Sequence, residues 1–153
     1  MVLEQHDSTS ARGAGRTVAW LAKQVERALA EVDLSLAQYR VLGFLSEGSA
    51  VSSAVAEGLA VRPPSITAVI DGLVVRGLVV RHTIAGDRRR VSLVVTDEGA
   101  KVFDQAEAVV AGRLWAIAGF LDDDDGGERA LADLGRWSVA LRAYHRACKR
   151  GEG

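Results

Sequence analysis

PPSITAVIDGLVVRGLVVRHTIAGDRRRVSLVVTDEG, residues Pro63 to Gly99, changes periodicity twice. Ile66, Val69, Ile70 and Leu73 recur at helical spacing. Two prolines stand in the first turn, where the missing N–H groups would have no intrahelical partner. Gly77 supplies the residue that lets a helix end in a left-handed conformation. Two β-branched runs follow, about Leu78 to Thr83 and Val91 to Val95, joined by a Gly-Asp turn and three consecutive arginines. Thr96 then reads as a helix cap, with Asp97 and Glu98 near the positive end of the next helix. The order is helix, hairpin, helix.

Upstream, SSAVAEGLAV predicts a short helix that opens at Ser52 or Ser53. Two adjoining helices followed at once by a hairpin make a winged helix-turn-helix. Before it, Val18, Leu21, Ala22, Val25 and Leu29 predict a helix over about Gly13 to Ala30. Ser35 caps a second helix with Leu36, Tyr39, Leu42 and Phe44/Leu45 on one face, and Gly48 stops it. Downstream, a long helix runs from Thr96 to about Phe120, and DDDDGGE interrupts the chain. A last helix starts near Glu128. Its Leu131, Leu134, Trp137, Leu141 and His145 approach a heptad seam. The expected fold is mainly α with a two-stranded β-wing. Residues 1–12 are loose and 13–153 form a single domain, with the winged lobe at about 35–96.

At this point the residues resemble the MarR (multiple antibiotic resistance regulator) family of transcription factors. The stretch that carries the resemblance runs from Leu34 to Gly99. Within it, DRRRVSLVVT matches the family's wing pattern of D-x-R, five residues and an apolar-Thr pair, with Asp87, Arg89 and Val95-Thr96 in those places. The resemblance implies a homodimer whose dimerisation helices are about 13–34 and 97–150. It implies a pseudo-palindromic double-stranded DNA operator, repression in preference to activation, and a small aromatic or phenolic effector. It also implies that Asp87 braces the wing by pairing with Arg89, and that a wing arginine enters the minor groove.

Charge points the same way. From Val61 to Val95, six arginines (62, 76, 81, 88, 89 and 90) stand against two aspartates (71 and 87), a local charge of +4. The whole chain carries −1, so the remainder carries −5. A basic segment on an acidic body suits a polyanion touched by one part of the molecule. One cysteine, Cys148, excludes an internal disulfide and fits a reducing compartment. Without a signal-peptide pattern or an apolar run long enough to span a bilayer, the expectation is a cytoplasmic protein that makes no membrane contact.

The candidate DNA contacts are Ser53, Arg62, Ser65, Thr67, Arg88, Arg89 and Arg90. Two readings compete at each place. A charged hairpin tip also discourages edge pairing, Ser65 and Thr67 also suit plain solvent-facing positions, and Ser52 or Ser53 also suits simple N-capping. Three adjacent cations repel one another, however, and a minor groove offers the compensating anion. Pro63, Ala68 and Gly72 stand where the family often carries basic or amide side chains. Base readout by hydrogen bonds is therefore sparse, and thymine methyls and DNA shape contribute more. Trp20 and Tyr39 are the candidate effector contacts; core or subunit packing is the plainer reading of the three tryptophans.

No cofactor, metal cluster or catalytic constellation is readable. The aspartate run lacks the ligand positions of an EF-hand, and GAGR at 13–16 follows no strand. Cys148 reads as a spectator thiol. The expected function is sequence-specific DNA binding without catalysis; the alternative is a winged-helix protein–protein adaptor that does not bind DNA.

Overall fold

The computed structural model describes residues 12–84, 87–121 and 125–149. The side chains at 63, 84–90 and 149 lie outside that description. Helix α1 spans Ala14–Ala30, α2 Leu36–Ser46, α3 Ser52–Gly58, α4 Pro63–Val75, α5 Asp97–Ala118 and α6 Gly126–Lys149. The strands are β1 (Ala50–Val51), β2 (Val79–Ile84) and β3 (Asp87–Val95).

Local chemistry sets most of these bounds. Ser35 caps α2 in a reciprocal box: its hydroxyl accepts from Gln38 N at 3.1 Å, and Gln38 Oε1 accepts from Ser35 N at 3.0 Å. Thr96 caps α5 by accepting from Gly99 N at 3.0 Å, while its own hydroxyl donates to Gly77 O at 2.7 Å. A single threonine thus closes α5 and holds it to the turn after α4. Gly77 adopts φ 71°, the left-handed residue that ends α4. At α3 the serines do not cap: the N-cap is Val51, and no side chain bonds there. Ser52 and Ser53 are the first two residues of the helix.

The sheet departs from expectation in two ways. It has three strands in the order β1-β3-β2, all antiparallel. Ala50 faces Leu93 and Val51 faces Ser92, which makes β3 the central strand. A two-residue strand leaves no alternation to read, so only its pairing reveals it. Secondly, β3 begins at Asp87, and Arg88, Arg89 and Arg90 therefore belong to a strand and not to the turn. The register passes from Thr83↔Val91 directly to Ile84↔Asp87. Residues 88–90 are the surplus of that irregularity.

One apolar cluster joins the winged lobe to the flanking helices. Leu29, Val41, Leu42, Val55, Ile70, Leu73, Val79, Leu93 and Ala106 are all fully buried within it. Burial of this kind contributes about 1.5–3 kcal/mol for each large side chain. The packing stops short at the outer helices. On α1 only Ala28 and Leu29 are buried, and Trp20 is 70% exposed. On α6, Leu134, Trp137, Leu141 and Tyr144 are all exposed. No helix among the described residues is long and apolar enough to cross a membrane.

Candidate nucleic-acid interface

The turn between α3 and α4 is built by the backbone. Ala60 takes φ 53°, Val61 N donates to Ala56 O at 2.9 Å, and Arg40 Nη2 from α2 donates to Leu59 O at 2.7 Å. Arg62 follows as the extended N-cap of α4, with prolines at the first two helical positions. Those prolines remove two N–H donors. The next two, on Ser65 and Ile66, both reach Arg62 O, at 3.1 and 3.3 Å. The helix end therefore offers few free amides to an anion, and any contact there falls to side chains.

Those side chains are in place. Arg62, Ser65 and Thr67 are exposed at the start of α4, and Ser53 is exposed at the start of α3. The inward face of α4 is Ile66, Ile70 and Leu73, which are buried, while Val69 is half-buried. The β2–β3 hairpin adjoins α4 through the shared core, with Leu78, Val79 and Leu93 buried beside those residues. The side chains of Asp87, Arg88, Arg89 and Arg90 lie outside the described residues, and so does the bracing of Arg89 by Asp87.

Two ion pairs hold α4 from its sides. Arg81 Nη2 on β2 meets Asp71 Oδ1 on α4 at 2.5 Å. Arg76, just past the end of α4, donates through Nη1 to Asp33 O at 2.6 Å and Gln38 Oε1 at 3.5 Å, and its Nη2 lies 3.5 Å from Asp33 Oδ2. The sequence alone shows Arg76 and Arg81 only as part of the basic segment. Their partners lie 43 and 10 positions away on other elements, and local periodicity carries no signal for either.

The two aromatic candidates part company. Tyr39 is half-buried; its hydroxyl donates to Glu107 Oε1 on α5, and its ring lies 5.6 Å from that of Phe103. Burial first, then the Glu107 hydrogen bond and charge, raise the Tyr39 hydroxyl above its ordinary pKa of 10.0. It stays a neutral donor. Trp20 is exposed on α1, and no ring contact among the described residues joins it to Tyr39. Phe103 also lines a cleft of about 460 Å³ with Leu45, Val94, Val95, Ala100 and Asp104. Among the described residues, no group of three or more His, Cys, Asp or Glu is placed to hold a metal.

A sequence model of the MarR family matches residues 32–90, the helix-turn-helix and the basic end of the wing. Over those residues the chain is similar to the MarR family. Solved MarR-like structures match almost its full length. The repressor CouR bound to a 23-mer DNA duplex is 26% identical with a TM-score of 0.70, covering 90% of this chain and 99% of that one. CouR from Rhodococcus jostii RHA1 bound to p-coumaroyl-CoA is 25% identical with a TM-score of 0.70, covering 93% and 96%. NadR in complex with 4-hydroxyphenylacetate is 26% identical with a TM-score of 0.67, covering 93% and 97%. These likenesses support a DNA-binding transcriptional regulator.

Proposed function

We propose that this protein is a homodimeric, sequence-specific DNA-binding repressor that a small aromatic or phenolic ligand releases from its operator. The observation that carries the reading is the exposed start of α4 in the same lobe as a wing strand bearing three successive arginines, on a chain of net charge −1. In this reading α4 is the recognition helix. Arg62 meets a phosphate, and Ser65 and Thr67 meet base edges. Ser53 meets the backbone through its hydroxyl. The wing arginines, Arg88 to Arg90, reach a minor groove, with Asp87 orienting Arg89.

Exposed Trp20 on α1, Trp115 on α5, Phe120 just past its end, and Leu134, Trp137 and Leu141 on α6 support a dimer built from these helices. Two-fold symmetry then calls for a pseudo-palindrome with half-sites about 34–36 Å apart. The Phe103 cleft supports an aromatic effector of the kind held by CouR and NadR; Tyr39 packs against Phe103 but does not line the cleft, and Trp20, exposed, serves the dimer better than a pocket.

Fluorescence anisotropy against the promoter region adjoining its own gene, with a random duplex of equal length as reference, tests the reading. Preference for the promoter duplex by tenfold or more is expected. The thin polar content of the exposed side of α4, where Pro64, Ala68 and Val75 also face solvent, is the observation that favours a protein–protein adaptor instead. Failure to bind either duplex would favour that reading.

A further inference from the structure

The solvent-facing stripe of α4 consists of Pro64, Ala68, Asp71 and Val75, spaced four, three and four residues apart. Asp71 is the sole charged residue of the helix. A carboxylate on a surface that enters a DNA groove opposes binding, because it approaches the phosphates with like charge. Arg81 meets that carboxylate at 2.5 Å from strand β2, where it stands opposite Leu93 in the ladder. The contact therefore does two things. It neutralises the charge, and it ties the recognition helix to the wing at a point outside the buried core.

We propose that Arg81 is a positioning residue for DNA binding, acting through Asp71 and not as a phosphate contact. The proposal rests on the DNA-binding reading above. Its guanidinium is committed within the protein, as Arg76 is to Asp33. Of the six arginines between Val61 and Val95, Arg62 and the three of β3 then remain to face DNA. The pair also fixes the relative placement of the two elements that must engage adjacent grooves at once, and ordering them beforehand lowers the cost of binding. Exposed ion pairs contribute little to folding stability, so variants of either residue are expected to fold.

A double-mutant cycle decides the matter. Arg81→Gln, Asp71→Asn and the double variant are compared with wild type for operator and random-duplex affinity across a salt series, with melting temperatures alongside. Arg81→Gln is expected to weaken operator binding by about two- to fivefold, the scale of an exposed ion pair. Arg81→Lys is expected to restore most of that loss. In the Asp71→Asn background most of the effect of Arg81→Gln should disappear, since the partner through which Arg81 acts is gone. An equal loss in both backgrounds, with the log K against log[salt] line flattened by about 0.9, makes Arg81 a phosphate ligand and overturns the proposal. Unchanged operator affinity in both backgrounds makes the pair an ordinary surface contact and overturns it too. Wild type that binds no duplex fails at the first step, and it is then the DNA-binding reading that falls.

Discussion

Gly99→Ala should destabilise the joint between the wing and α5 far more than a surface methyl normally does. Gly99 is the third residue of α5, and a Cβ there would stand 2.0 Å from Leu78 O, 2.9 Å from Leu78 C and 2.9 Å from Val95 Cγ1. Reaching 3.4 Å, where ordinary contact begins, requires the first turn of α5 to move by roughly 1.4 Å. That turn is held by three hydrogen bonds: Thr96 N to Leu78 O, Thr96 Oγ1 to Gly77 O, and Gly99 N to Thr96 Oγ1. Overpacking of this kind costs about 1–3 kcal/mol, and weakening the bonds adds about 1 kcal/mol or more. The better helix propensity of alanine returns at most about 1 kcal/mol. The net expectation is a loss of about 1–4 kcal/mol, or a fall in Tm of roughly 2–15 °C for a chain of this size. Gly58→Ala provides the internal comparison. Its Cβ would fall 2.1 Å from Phe44 Cε2, but that atom belongs to a half-buried ring that can turn aside, so the cost should stay within about 1 kcal/mol. Thermal and urea unfolding of both variants, at one protein concentration, measures the contrast. A Gly99→Ala protein as stable as wild type, or a Gly58→Ala protein that loses more, would refute the argument that backbone contact decides the cost.

Replacing Arg88, Arg89 and Arg90 by alanine should weaken binding to operator and random duplex alike and flatten the salt dependence by about 0.9 for each phosphate no longer touched; an unchanged slope means the wing stays off the DNA. Asp87→Ala should weaken operator binding although it adds positive charge, while random-duplex affinity holds level or rises; parallel strengthening on both would show Asp87 to be only a surface charge. The unpartnered faces of α1, α5 and α6 predict a dimer whose Tm rises with protein concentration, and sedimentation of a folded monomer at micromolar concentration contradicts it. Because the folded Tyr39 pKa lies above the unfolded value of 10.0, its contribution to stability is present below pH 10 and is lost as pH rises beyond it. Tyrosinate absorbance of wild type and Tyr39→Phe should therefore coincide up to about pH 11, and a smaller rise in the variant below that pH would show Tyr39 ionising normally.

What can be read from the sequence is what neighbours in the chain decide. The caps at Ser35 and Thr96, the proline-led start of α4 and the glycine at its end are local contests, and the structure has each where the residues put it. The resemblance to the MarR family likewise rests on contiguous residues of the wing. The misses are all relations between distant segments. Strand β1 exists because Ala50 and Val51 find Leu93 and Ser92 across the lobe. The Gly-Asp pair reads as a turn signal, yet the pairing of Asp87 with Ile84 carries β3 back through the arginines, which are surplus to the β2 register. Tyr39 stands out in the sequence without its partner, because Glu107 lies 68 positions away and only tertiary packing brings α2 and α5 together. The Asp71–Arg81 contact is hidden for the same reason.

The surplus of residues 88–90 against β2 separates two demands that a strand usually has to meet together. In a regular ladder each residue is bound to a cross-strand neighbour, and removing or adding one position inverts every side chain beyond it. Here the pairing from Thr83↔Val91 to Val79↔Val95 is complete without the arginines. Substitutions among them leave the sheet's alternation and the burial of Leu93 untouched. A lineage could therefore raise or lower the wing's charge, and with it the affinity for a polyanion, while the fold that carries the wing stays under separate selection.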